Sequence, residues 1–317
     1  MREFIIQAND ADQRVDKFLM KTLPTLPKSL MYKYIRNKKI KVNRKRCEIS
    51  QRLQEGDIVL CFIAEEFFET KKDYAFLKVS NRVDCLYEDD DVVLLNKESG
   101  LLTHSDSKEV QDNLQDRFLH YLYDKKVYDP SLEQSFTPAL CHRLDRNTQG
   151  IVIAAKKASA LRAMNAHIKA HDVKKRYVCI VEGKLLKPCD HLLLYHEKDE
   201  KQNKVTLYAK SSQNRVQVET SYQVLETCGQ YSLVEVLLHT GKSHQIRAVM
   251  AYLKHPLYGD VKYGAHKTKE KNYQALCAYK VTFDFEDEVL KKVAHKTFTL
   301  AQNDVISLYE KLKKNNF

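Results

Sequence analysis

The 317-residue chain contains no tryptophan, only eight glycines and six prolines, and no long apolar run. A membrane-spanning helix needs roughly 18 consecutive apolar residues, so we expect no membrane span. Glycine-rich phosphate loops are also absent, which gives a nucleotide-cofactor fold little support. With 43% hydrophobic and 30% charged residues, the composition is typical of an ordinary globular protein.

Cysteine and histidine are present but lack the spacings of metal sites. The eight cysteines form no CxxC pair, and the twelve histidines form no HExxH motif. This pattern is typical of reduced thiols in a cytosolic protein. The first residues, MREFIIQAND, also lack the basic and apolar regions of a secretory signal. We therefore expect a cytoplasmic protein without a metal site.

Acidic residues are missing from one segment, Lys17 to Cys47, which contains eleven lysines and arginines. Without these eleven, the 53 basic residues of the chain would equal its 42 acidic ones, so this segment holds the whole net charge of +11. A concentrated positive field attracts a polyphosphate chain through counterion release. Most charge runs are solvated surface, but so long a block without an acid favours nucleic-acid binding. The predicted contacts are Lys28, Lys33, Arg36, Lys38, Lys39, Lys41, Arg44, Lys45 and Arg46.

The pattern within this segment predicts a folded domain. Val15, Phe18, Leu19 and Leu23 recur at helical spacing before Pro24. Ser29 is a candidate cap for a second helix, KIKVN (39–43) alternates like a strand, and LQEGDIVLCF (53–62) predicts a turn and a closing strand. The segments RVDKFL, PKSLMYKYIRNKKIKVN and LQEGDIV resemble an S4 RNA-binding domain.

The rest of the chain mixes strands and helices without strict alternation, which predicts an α+β domain around a mixed sheet. We expect this domain to span 75–317, after an N-terminal domain at 1–64 and a charged, irregular linker at 65–74. The predicted strands are 92–96, 150–156, 176–182, 215–225 and 231–239. The predicted helices are 158–171, 244–254 and 303–314.

The densest cluster of reactive groups is HRLDRNTQG at 142–150. Asp145 is flanked by arginines, whose positive charge favours its ionised form. An ionised carboxylate at a strand end can act as a nucleophile towards an electron-poor carbon. Taken alone, however, an aspartate among arginines is more often a structural ion pair.

HRLDRNTQG resembles the active-site signature of the RluA-type pseudouridine synthases, with Asp145 at the catalytic aspartate. Further segments resemble the other conserved blocks of that family in the expected order, over about residues 85–285. These are YEDDDVVLLNKESGLLTH (87–104), KKRYVCIVEG (174–183), GKSHQIRAVM (241–250), HPLYGDVKYG (255–264) and ALCAYKVTF (275–283). Four positions depart from the family pattern: Glu98, Gln149, Lys242 and Cys277. These departures bear on which substrate is recognised more than on whether the protein is active.

The resemblance implies a role for each residue in converting uridine to pseudouridine. Asp145 would be the nucleophile, at either the sugar or the base. Arg247 would hold it ionised, in a contact that the guanidinium fork allows to be bidentate. Tyr177 would stack on the base and help to remove the C5 proton, and Leu276 would form an apolar wall. The weaker candidates for substrate binding are His142, Arg143, Lys97 and His244. No cofactor is expected, because isomerisation changes neither redox state nor bond count.

Two other classes of protein compete with this interpretation. A catalytically silent RNA-binding or ribosome-assembly factor would also use the basic segment, but it has no need of a paired carboxylate in an RNA groove. A nucleoside hydrolase or deaminase is disfavoured because the HxE and PCxxC pattern of the zinc-type deaminases is absent. Among RNA substrates we favour 23S ribosomal RNA, with tRNA as the alternative, and we expect a monomer.

Overall fold

The computed structural model describes residues 1–69, 74–105 and 111–314. The N-terminal domain consists of β1 (Arg2–Ile5), α1 (Val15–Thr22), α2 (Lys28–Arg36), β2 (Ile40–Val42), β3 (Lys45–Arg46) and β4 (Ile58–Cys61). Its antiparallel sheet has the order β1-β4-β2-β3, and its core includes Phe18 and Leu19 of α1 and Ile35 of α2. The predicted small α/β domain is therefore confirmed.

The ends of the two N-terminal helices have different causes. Helix α1 ends at Thr22, just before Pro24, as predicted. Helix α2 begins at Lys28, and its N-cap residue is Pro27 with φ −58°. The prediction that Ser29 caps this helix is wrong, because the fixed φ of proline already suits a helix start and places Ser29 inside the first turn.

Part of the predicted irregular linker is ordered against the N-terminal domain. Glu65–Phe68 forms a 3-10 helix, and Phe68 is buried in the N-terminal core, with its ring centroid 6.3 Å from that of Phe4. The guanidinium of Arg2 covers the same ring at 4.9 Å. Packing of Phe67 and Phe68 against the N-terminal core thus orders this segment, although charged residues surround the pair. Residues 70–73 of the predicted linker lie outside the described residues.

The larger domain is built on one eleven-stranded mixed sheet. Its elements are β5 (Cys85–Glu88), β6 (Val92–Lys97), α3 (Leu114–Asp124), β7 (Ala139–Leu140), β8 (Gln149–Ala155), α4 (Ala158–Ala170), β9 (Val173–Glu182), β10 (Cys189–Asp199), β11 (Lys204–Tyr208), β12 (Val216–Cys228), β13 (Tyr231–Leu238), α5 (Gln245–Tyr252), β14 (Leu276–Phe283), β15 (Thr297–Thr299) and α6 (Asp304–Lys314). The main path runs β11-β10-β12-β13-β9-β14-β8-β6-β5, with β15 paired to β14 and β7 to β8. The five predicted strands and three predicted helices of this domain are confirmed. Among the described residues, no helix is both long and apolar enough to cross a bilayer.

Helices cover both faces of this sheet. Phe118 of α3 and Met250 of α5 belong to the core on one face, together with Tyr177 and Leu276 of the sheet. Met164 of α4 and residues of α6 belong to the core on the other face. The first face is the one that carries the candidate active site.

A parallel pairing between β8 and β14 brings the signature segment close to Leu276. Gly150, the second residue of β8, has φ +132°, and a Cβ atom there would lie 2.3 Å from the carbonyl oxygen of Ala278. Only glycine allows the two backbones to approach so closely. The loop that carries Asp145 therefore emerges directly beside the strand that carries Leu276.

The two domains make direct polar contacts. The buried Asp10 carboxylate accepts hydrogen bonds from the backbone N–H and hydroxyl of Ser135, at 3.1 and 2.5 Å. Gln13 donates to the same hydroxyl. The side chain of Asn9 donates to the Glu133 carboxylate and accepts a hydrogen bond from the N–H of Ala158, the first residue of α4. These contacts link the loop after β1 to the segment before β7, so the basic domain is held against the larger one.

Candidate active site

A cavity of about 400 Å³ opens beside the loop between β7 and β8. It is lined by seven of the eight side chains predicted for catalysis and substrate binding. These are Asp145, Tyr177, Arg247, His142, Arg143, His244 and Leu276. The structure thus brings together, in one place, residues from four separate segments of the chain.

Lys97, the eighth predicted residue, is not in this cavity. Its side chain is fully buried, and its ammonium donates to the carbonyl oxygens of Glu98, Leu101 and Arg146 at 2.7–2.8 Å. Burial lowers the pKa of Lys97 to about 8, against the opposing charges of Asp145 and Glu98. Since an ammonium has three donors, none remains for a substrate. The prediction that Lys97 binds substrate is therefore corrected: it is a positioning residue for the loop of Asp145.

Other contacts from the same segment hold the Asp145 loop. The hydroxyl of Thr103 donates to the carbonyl of Leu144 at 2.7 Å and accepts from its N–H at 3.2 Å. The hydroxyl of Ser99 donates to the carbonyl of Asn147 at 2.8 Å. Residues on both sides of Asp145 are thus fixed by the segment after β6.

Arg247, on the first turn of α5, points one guanidinium nitrogen at Asp145. The distance from Arg247 Nη1 to Asp145 Oδ2 is 3.9 Å, and 28% of the Asp145 side chain is exposed. This is the ion pair that the resemblance implied, but it is not a bidentate hydrogen bond.

The bidentate partner of Arg247 is Asp260, which the sequence analysis did not assign. Arg247 Nε and Nη2 donate to the two oxygens of Asp260 at 2.6 and 2.7 Å, and the Asp260 side chain is only 2% exposed. Although burial opposes the charge, the hydrogen bonds and charge of Asp260 raise the pKa of Arg247. Asp260 lies in the HPLYGDVKYG segment, which was the signal available in the sequence.

Tyr263 supports Arg247 from the other side. The guanidinium carbon lies 4.8 Å from the Tyr263 ring centroid, which is a cation–π contact. The Tyr263 hydroxyl also lies 3.0 Å from Nδ1 of His244, the left-handed residue that precedes α5. Burial lowers the pKa of His244, with Asp145 opposing and Arg247 adding to this effect. The arginine is therefore fixed in position before any substrate arrives.

Tyr177 and Leu276 form the apolar side of the cavity from the adjacent strands β9 and β14. Both are buried, with 6% and 5% of their surface exposed. Burial raises the pKa of Tyr177, and the charges of Asp145 and Cys277 act in the same direction. The Tyr177 phenol is therefore protonated at neutral pH and keeps its hydroxyl group.

Comparison with known proteins agrees with this geometry. Residues 91–252 match the model of the RNA pseudouridylate synthase family, and residues 13–59 match the S4 domain. An RNA pseudouridine synthase of Mycoplasma genitalium is 31% identical over 292 residues, covering 89% of this chain and 88% of the relative. The chain belongs to the RluA-type RNA pseudouridine synthase family.

Two further comparisons agree with this assignment. The ribosomal large subunit pseudouridine synthase C of Vibrio cholerae is 31% identical over 264 residues, covering 82% of this chain and 79% of the relative. The solved structure of human RNA pseudouridylate synthase domain containing 4 has a TM-score of 0.57 at 20% identity. It covers 72% of this chain and 92% of its own length, and it shows the shared fold.

His142 and Arg143 occupy opposite environments in this pseudouridine synthase. Nε2 of His142 accepts a hydrogen bond from the backbone N–H of Ile153, and burial together with the charge of Lys175 lowers the pKa of His142 to about 3. The neutral imidazole thus ties the signature segment to β8. Arg143 is exposed at the cavity mouth, where a phosphate could reach it.

Two of the departures from the family pattern have structural roles in this synthase. Gln149 accepts a hydrogen bond from the backbone N–H of Asp304, the first residue of α6, at 2.9 Å. Cys277 is fully buried next to Leu276, and burial raises its pKa to about 12. Neither residue lines the cavity, so these departures leave its walls unchanged.

The nine predicted RNA contacts form a positive surface on the N-terminal domain. Eight are exposed and Lys41 is half-buried. Across the described parts of the chain, none of the nine forms an ion pair with an acidic residue. Three ammonium groups lie over aromatic rings, at 5.3–5.6 Å from the ring centroids of Tyr32, Tyr34 and Phe62. Their charge is thus available to phosphates.

Asp260→Asn should lower the single-turnover rate of pseudouridine formation at least about tenfold, or roughly 1.4 kcal/mol in the barrier. The substitution keeps the shape of the side chain but removes the charge that holds Arg247. The rate is measured on saturating RNA, and near-ultraviolet circular dichroism checks the fold.

Asp16→Asn is the matched control, because Asp16 is also buried and makes a bidentate contact with Arg14 at 3.0 Å. It should leave the rate unchanged at saturating RNA. A folded Asp260→Asn variant with a rate within twofold of wild type would show that Asp260 does not position Arg247.

Proposed function

We propose that Asp145 is the nucleophile of this synthase and that its substrate is ribosomal RNA of the large subunit. The assignment of Asp145 as the nucleophile rests on the position of its carboxylate. This group is partly exposed in the cavity, with Arg247 Nη1 3.9 Å away. The buried guanidinium of Arg247 presents a positive charge to this carboxylate and orients it. A carboxylate oriented in this way can act as a nucleophile.

The reaction breaks the bond between C1′ and N1, turns the base and rejoins it through C5. A uridine stacked in a helix cannot present these atoms, so the nucleotide must be flipped into the cavity. Tyr177 and Leu276 offer an aromatic and an aliphatic surface to the flipped base. The Tyr177 hydroxyl is protonated, so it can assist removal of the C5 proton only as a relay that passes its own proton to water as it accepts the proton from C5.

The flipped nucleotide also needs its phosphates held. Arg143 and His244 line the cavity mouth, and Arg143 is exposed enough to pair with a phosphate. The positive surface of the N-terminal domain binds the RNA further from the target uridine. Contacts such as Asp10 with Ser135 keep the two binding regions in a constant relation.

Ribosomal RNA is favoured over tRNA for two reasons. Relatives that cover most of this chain bear the name ribosomal large subunit pseudouridine synthase C. The S4 domain adds a second RNA-binding surface, which suits a large folded RNA. We further propose that the enzyme acts as a monomer in the cytoplasm, where ribosomal RNA is assembled.

Pseudouridine mapping in a strain that lacks the gene tests both proposals. Wild-type protein supplied from a plasmid should restore specific sites in large-subunit ribosomal RNA. Asp145→Asn should restore none, because an amide is not a nucleophile here, whereas Asp90→Asn, at an exposed carboxylate in the turn before β6, should act like wild type. Restoration by folded Asp145→Asn would refute the nucleophile, and sites only in tRNA would refute the substrate.

Neutralising Lys33, Arg36 and Lys39 to glutamine should weaken RNA binding and its salt dependence together. Each lost phosphate contact lowers the slope of log K against log salt by about 0.7–0.9. Salt-titrated filter binding measures the slope, with Lys291, Lys296 and Lys311 replaced by glutamine as the control. An unchanged slope in the first variant would show that the N-terminal domain is not the RNA anchor.

A further inference from the structure

Three side chains from three neighbouring strands converge at the rim of the cavity. His191 lies on β10, Glu219 on β12, and His239 directly after β13. Nε2 of His191 is 3.2 Å from Oε1 of Glu219, and Nδ1 of His239 is 4.0 Å from the same oxygen. Their ligand atoms all lie within 4.8 Å of one another. No part of the proposed reaction uses this cluster.

Ser221 orients both imidazole rings. Its hydroxyl oxygen lies 2.9 Å from Nδ1 of His191 and 2.8 Å from Nε2 of His239. A hydroxyl has two lone pairs, so it can accept a hydrogen bond from each ring. This leaves Nε2 of His191 and Nδ1 of His239 facing Glu219, where each can offer a lone pair to a cation when its ring is neutral. Metal-binding histidines are held in this way, with the second ring nitrogen bonded to an oxygen behind it.

We propose that His191, Glu219 and His239 bind a divalent transition-metal cation of the zinc type. Zinc–ligand bonds of about 2.0–2.2 Å separate the ligand atoms of a tetrahedral site by roughly 3.3–3.6 Å. The contacts at 3.2 and 4.0 Å bracket this spacing. Two imidazoles and one carboxylate favour zinc, cobalt, nickel or copper over magnesium and calcium, which prefer oxygen ligands. Water would complete the coordination, since the three side chains are 32–54% exposed.

The charge of the cluster also suits a cation. The Glu219 carboxylate balances part of the charge of a bound cation.

The site is coupled to the loop that precedes Arg247. The carbonyl of Glu219 accepts hydrogen bonds from the N–H of His239 at 3.2 Å and from the side chain of Gln245 at 3.1 Å. The N–H of Glu219 donates to the hydroxyl of Thr240 at 2.9 Å. A bound cation would tie β10 to this loop without touching Asp145, so it stabilises the rim of the cavity and takes no part in the chemistry.

The test uses the full chain, freed of metal with EDTA and desalted, with Cys85 and Cys189 replaced by serine because both thiols are exposed. Isothermal titration with Zn²⁺ and the visible spectrum of added Co²⁺ report binding. We expect one ion per chain with a Kd below about 10 µM, a four- or five-coordinate Co²⁺ spectrum, and a thermal midpoint raised by a few degrees.

Variants at the cluster decide the outcome. His191→Gln or His239→Gln should weaken Zn²⁺ binding at least tenfold, while His295→Gln, at an exposed surface histidine, should not change it. Ser221→Ala should weaken binding less, because it removes only the support of the rings. The proposal is wrong if Zn²⁺ shows no saturable binding, or if binding is the same in the two histidine variants as in the parent.

Discussion

The buried ion pair between Arg247 and Asp260 is the interaction on which the active site depends. A guanidinium with 9% of its side chain exposed is costly to bury alone, and Asp260 offsets that cost with two short hydrogen bonds. Because Nε and Nη2 are occupied by Asp260, Nη1 faces Asp145. The Asp260 carboxylate thus fixes the arginine that orients the Asp145 carboxylate. The Asp145 carboxylate, our proposed nucleophile, stays partly exposed to a substrate.

A second buried cation holds the backbone next to Asp145. Lys97 satisfies all three of its donors with carbonyl oxygens, one of which belongs to Arg146 in the signature loop. The Asp145 side chain is thus held by Arg247 and its loop by Lys97. Preorganisation of this kind lowers the cost of reaching the reactive geometry. Arg143 and most of the basic N-terminal residues, which we propose bind the RNA, are exposed on the surface.

The sequence was informative where local pattern decides structure. The strands at 92–96 and 150–156 are apolar runs buried on both faces, and helix 158–171 has clear periodicity, so each was found within one or two residues. The segments that resemble the family identified the cavity residues because each of them is a short local motif that can be recognised without the fold. Strands β10 and β11 were not predicted, since charged residues such as Lys198 and Asp199 hide their alternation.

Other features arise only when distant segments meet. Asp260 and Arg247 are neighbours in space because α5 and the 3-10 helix Val261–Tyr263 pack together, and no local pattern shows this. Lys97 lies in a motif block, and its charge suggested that it binds substrate. Its ammonium is instead buried and bonded to three backbone carbonyls. The His191 cluster is invisible to motif spacing for the same reason, because its members come from three strands of one sheet.

The most direct measurement of this account is a double-mutant cycle between Asp260→Asn and Arg247→Lys, using single-turnover rates on saturating RNA. If Asp260 acts only through Arg247, the two effects are coupled, and the double variant will be within about twofold of the slower single variant. If the two losses multiply in a folded double variant, Asp260 acts independently of Arg247, and the proposed dependence of Asp145 on this ion pair is contradicted.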